Sequence, residues 1–241
     1  MSTDLTTEGN FKGRLQTFLQ ERPPVPQPIL PLKYHVTTGL APTFIISRVD
    51  GGVGASMLAL MLSLNLREQP LVIQVGGMKS WAYRELPQDY FIHIKLREEE
   101  DSIAGPLDRR LKHGERVAII EYEQALPIEA IATTNYIADK LDGYAMLFLI
   151  ADKHDQTFKL LQTAMDMGVE NVIGLRKYAL MQRRNENLLQ IPSVPSAIAL
   201  KLQSQPSSFA YALKSMENPV ATMNFRERLD AFFAEIAGRM Q

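Results

Sequence analysis

The chain has 241 residues, 46% hydrophobic and 22% charged, so it can bury a sizeable core without a disulfide or metal staple. Its net charge of -1 excludes a global pull towards nucleic acid or an anionic membrane. It has no cysteine, which excludes thiolate catalysis, disulfides and cysteine-type zinc sites and fits a reducing cytosol.

Residues 1–10 are polar and acidic, with neither a basic leader nor an apolar segment behind it. Residues 11–21 have the period of a short amphipathic helix, with Phe11, Leu15, Phe18 and Leu19 on one face. The run Arg22-Pro23-Pro24-Val25-Pro26-Gln27-Pro28 forbids helix and central strand, so residues 1–40 are expected to form a flexible N-terminal arm.

From residue 41 the pattern becomes α/β. Residues 43–47 form a short apolar, β-branched run expected to be a buried strand. A glycine-rich turn follows, and then a helix over 55–67 that is apolar nearly all round. Further strands are predicted at 70–75, 90–94, 116–120, 144–150 and 169–175. Helices are predicted at 128–141 and 155–167, the second ended by Gly168. Residues 178–205 carry a mixed signal with turns at Pro192 and Pro195. Closing helices are predicted at 207–217 and 224–239, the last with Phe225, Leu229, Phe232, Phe233, Ile236 and Met240 inward. Strands that read as continuous apolar blocks between helices imply a mostly parallel sheet covered on both faces, a three-layer α/β sandwich.

A strand, a glycine-rich turn and a helix in that order frame a phosphate-binding loop. Converging backbone amides and the helix N-terminus attract phosphate, a lysine neutralises its charge, and a hydroxyl holds magnesium. The stretch here is Val49-Asp50-Gly51-Gly52-Val53-Gly54-Ala55-Ser56. It resembles the deviant Walker A loop of the ParA/MinD family, G-K-G-G-V-G-K-[ST], keeping Gly51, Gly52, Val53, Gly54 and Ser56. Asp50 and Ala55 stand at the two lysine positions, and Val49 at the first glycine. Each lost charge-assisted hydrogen bond costs ~1.5–3 kcal/mol. A carboxylate near phosphate adds a repulsion of ~1–4 kcal/mol.

The resemblance covers about residues 42–240. Gln74 and Gly76 stand where the family has an acidic element after the second strand. Glu121 partly matches the aspartate that supports magnesium in the family. The resemblance therefore implies a P-loop-like fold with a vestigial phosphate loop and no catalytic residues. It implies a protein without cofactor or metal that works as a scaffold or adaptor, positioning a bacterial cargo (a plasmid, secretion or polysaccharide-export complex) through a protein partner or a homodimer.

Two other readings stay open. One is an active ATPase of the same family, binding ATP and magnesium through compensating residues such as Lys79 or Lys153. The other is non-specific DNA binding through Arg176, Lys177, Arg183 and Arg184, a basic run set against the bland reading of a solvated loop. Four histidines (His35, His93, His113, His154), none with a second histidine four positions away, make a metal centre unexpected. The apolar stretches are too short to span a bilayer, so a cytoplasmic protein is expected. Trp81 and Tyr83 suit a protein interface if exposed and an ordinary core if buried. Ser56 is expected to bond the start of its own helix.

Overall fold

The computed structural model describes residues 43–49, 51, 54–65, 70–77, 80–84, 86, 88–95, 117–123, 126–141, 144–151, 154–176, 188–204, 212–213 and 218–239. The predicted N-terminal arm, Asp50, Gly52, Lys79, Lys153, Lys177, Arg183 and Arg184 lie outside these residues, as does most of the predicted helix at 207–217.

Seven strands form one sheet: β1 (Thr43–Arg48), β2 (Leu71–Val75), β3 (Phe91–Ile94), β4 (Ala118–Tyr122), β5 (Ala145–Ala151), β6 (Val172–Arg176) and β7 (Leu189–Gln190). Their order is β3-β2-β4-β1-β5-β6-β7, and every pairing is parallel. The helices are α1 (Ala55–Asn65), α2 (Pro127–Leu141), α3 (His154–Asp166), α4 (Ser196–Ser204) and α5 (Pro219–Arg239). The expected α/β sandwich with a parallel central sheet is the observed fold.

The period of two along each strand sends side chains to two separate cores. Phe44 and Ile46 of β1, Ile119 of β4 and Phe148 and Ile150 of β5 face one side. There they pack with Leu58, Met61 and Leu62 of α1 and Phe225, Leu229 and Phe233 of α5. Ile45, Ile120, Leu147 and Leu149 face the other side, with Ala130, Ile131 and Ile137 of α2 and Ala164 of α3. Both faces of the sheet are thereby covered, which is why the strands read as unbroken apolar runs.

Several boundaries differ from the predicted ones, for physical reasons. β4 begins at Ala118 rather than 116 because its register with β1 pairs Thr43 with Ala118 and Ser47 with Tyr122. Glu121 is therefore inside the strand, not beyond its end. α5 begins five residues earlier than predicted. Asn218 caps it, its Oδ1 accepting the Ala221 amide at 3.1 Å, and Pro219 takes the first helical position, where a missing N–H costs nothing. α4 and β7 occupy part of the stretch read as a mixed signal, on either side of Pro192 and Pro195. β7 is two residues long, too short to show a period, and only its pairing with β6 defines it. Among the described residues, no helix is long and apolar enough to cross a membrane.

Candidate functional site

The chain leaves β1 through α1 for β2 on one side of the sheet, and leaves β4 through α2 for β5 on the other side of β1. In parallel sheets such a reversal opens a crevice at the carboxyl ends of the strands, the usual ligand position. Here the reversal lies at the carboxyl ends of β1 and β4, against the first turn of α1.

The glycine turn after β1 delivers α1 to this point. Gly54 has φ +95°, a left-handed conformation that an L side chain rarely adopts, and its carbonyl accepts the Leu58 amide at 2.8 Å. Ser56 then sits one residue into the helix. Its Oγ does not bond the helix start as expected. It donates to Oε1 of Glu121 at 2.8 Å, across 65 positions of sequence.

Glu121 is the centre of the arrangement and has no exposure to solvent. Its other oxygen, Oε2, accepts the Tyr83 hydroxyl. The Arg48 guanidinium, at the end of β1, stands 3.9 Å from Oε1. Ser80 adds a further link, its Oγ donating to Ser56 Oγ at 3.1 Å while its own amide donates to Gln74 Oε1 at 2.9 Å. Period two explains the gathering. Arg48, Gln74 and Glu121 take the same parity as Phe44 and Ile46, Val72 and Ile119, so all three point to the α1 side.

Burial, above all, holds the Glu121 carboxyl above its usual range. The hydrogen bonds from Tyr83 and Ser56 and the nearby Arg48 charge oppose that shift in part. Burial and then the Glu121 charge push the Tyr83 phenol well above its usual value, so it keeps its proton and donates it.

A second carboxylate lies alongside. Glu123, just past β4, accepts the Gly77 amide through Oε2. It crosses directly over Gly76, which has φ +148°. A Cβ at position 76 would overlap the Cβ and Oε2 of Glu123 and come within 2.7 Å of its Cδ. The Gly76 carbonyl is within 3.1 Å of His93 Nε2.

Of the sequence-predicted phosphate loop, Gly51, Gly54, Ala55 and Ser56 are described, and only Ser56 takes a polar part in the site. Ala55 is buried at 2% exposure and brings no cation. Gln74, expected to stand where the resemblance puts an acid, and Glu121, expected as a partial match, both belong to the cluster. Arg48, Ser80 and Glu123 were missed. A signal for Arg48 was present in sequence, a lone cation ending an apolar strand. Tyr83 is fully buried, as an ordinary core residue would be, yet its hydroxyl is a polar anchor. Of the predicted basic run only Arg176 is described, and it is 6% exposed at the end of β6.

Among the described residues, both oxygens of Glu121 and the proton of Ser56 are engaged by protein groups. Among the described residues no group of three or more His, Asp or Glu could hold a metal ion. What the arrangement can do is hold α1, β4 and the residues after β2 together through buried hydrogen bonds. No protein-family model matches the chain, and no curated protein matches it.

Proposed function

We propose that this protein is a non-catalytic relative of the ParA/MinD family, a cytoplasmic bacterial scaffold or adaptor that works without a nucleotide. It engages its cargo complex through a protein partner or as a homodimer. The observation that supports the reading is the occupation of Glu121. The carboxylate best placed to support an ion at the crevice is instead paired internally with Ser56, Tyr83 and Arg48. Asp50 and Ala55 at the lysine positions act in the same direction, since phosphate would meet an anion and a methyl group in place of two cations.

Titration calorimetry with ATP and magnesium tests this. The expected result is no binding tighter than about 1 mM, equivalent to a binding free energy weaker than about -4 kcal/mol. Micromolar affinity would overturn the reading in favour of an ATPase that recruits cations from elsewhere in the chain.

A further inference from the structure

Four polar contacts converge on the short stretch that follows β2. Glu123 accepts the Gly77 amide, and Gln74 accepts the Ser80 amide at 2.9 Å. Ser80 Oγ donates to Ser56 at 3.1 Å, and the Tyr83 hydroxyl donates to Glu121. The partners come from β2, from α1, and from β4 and the residue just past it, so the stretch is gripped from three elements at once.

The hydroxyl chain has a complete and consistent direction. Each serine hydroxyl has one proton to give and lone pairs to accept. Ser80 accepts the Ala82 amide at 3.3 Å and donates to Ser56, which donates to Glu121. The single-turn helix Trp81–Tyr83 closes on itself with Tyr83 and Arg84 amides bonded to the Ser80 and Trp81 carbonyls. Apolar contacts back these bonds. The Tyr83 ring lies 5.3 Å from that of Phe91, and Trp81 packs half-buried on the core.

We propose that the Trp81–Tyr83 turn is a built-in latch. The Tyr83 and Ser80 hydroxyls serve as internal ligands of Glu121 and Ser56, and they hold the crevice in one conformation with no bound molecule. The latch rests on the reading that the protein works without a nucleotide, and it names what organises the site in that molecule's place. A surface turn with few tertiary bonds opens at almost no cost. One anchored through a buried, charge-assisted hydrogen bond opens rarely.

Hydrogen exchange on the full chain tests the latch. In the parent protein the amides of Ser80, Ala82, Tyr83 and Arg84 are expected to be protected without any ligand. Tyr83→Phe keeps the ring against Phe91 and removes only the hydroxyl. It should speed exchange at these amides by about 10- to 100-fold, leave the amides of β1 and β5 unchanged, and alter the emission of Trp81, the chain's single tryptophan. Ser80→Ala should give the same local pattern.

Open-chain exchange rates in the parent, or no change in Tyr83→Phe, would overturn the latch. So would equal acceleration throughout the sheet, which would mean that the hydroxyl stabilises the whole domain. Millimolar magnesium-ATP should leave the parent's exchange unchanged, and a tenfold slowing would show that the latch needs a ligand. ATP bound by calorimetry without slower exchange would remove the nucleotide-free reading and leave the latch standing.

Discussion

Glu121→Ala is expected to destabilise the fold by about 3–5 kcal/mol, the cost of breaking a buried charged pair from one side. The loss has identifiable parts. The Tyr83 hydroxyl would be buried without its acceptor, Ser56 would lose the acceptor for its proton, and Arg48 would lose its counter-charge. For a chain of this size the melting temperature should fall by roughly 6–20 °C. Denaturant unfolding measures the loss directly, and a change below about 1 kcal/mol would mean that the carboxylate is not central to the network.

Glu121→Gln separates charge from shape. The folded-state pKa of Glu121 is raised, so the folded protein holds that proton more tightly than the unfolded chain does. The stabilising contribution is therefore fully present below the unfolded value, near 4.5, and is lost as pH rises through the folded value. Glutamine does not titrate. Melting curves from pH 4 upward should show the difference between the two proteins moving in favour of glutamine as pH rises. Movement in favour of the parent would mean that its hydrogen bonds to the anion outweigh burial.

The second large effect is expected at Gly76. Gly76→Ala should cost about 2–6 kcal/mol, from backbone strain of ~1–3 kcal/mol and overpacking of ~1–3 kcal/mol. The conformation at φ +148° is one that side chains rarely adopt, and the added methyl would overlap the Cβ of Glu123, which cannot swing aside as the tip of a flexible chain would. Gly76→Asp should be worse, because its carboxylate would also meet that of Glu123. If both variants unfold with the parent, Glu123 does not lie over Gly76.

Much of this protein was legible from residue order. Leu71, Val72 and Ile73, or the unbroken run from Ala145 to Ile150, can hardly be anything but strands buried on both faces. Hydrophobic period and punctuation are local properties, so helices such as α2 and α3 follow from them to within a residue or two. Boundaries were missed where a non-local bond sets them, as with β4, or where a cap overrides the apolar period, as with Asn218 and Pro219 before α5.

The site was legible only in part, and the reason is the same. The glycine turn and Ser56 were visible because their meaning is carried within eight consecutive residues. The partners of Ser56 were not, because Glu121 is 65 positions away and Ser80 is 24. No local pattern shows that a serine hydroxyl will turn from its own helix start to a neighbouring strand. Gln74 read as a lost acid, but the structure makes it the acceptor that holds the Ser80 amide.

By itself, then, the sequence determined the alternation of strands and helices, the parallel sheet and the glycine turn at the end of β1, since each depends on neighbours along the chain. Only the tertiary structure decided that Arg48, Ser56, Tyr83 and Glu121 meet, that Glu123 rather than a side chain at position 76 fills the end of β2, and that Arg176 is buried. Those outcomes depend on strand order, which brings β4 between β2 and β1, and on register, which sets the face that each side chain takes.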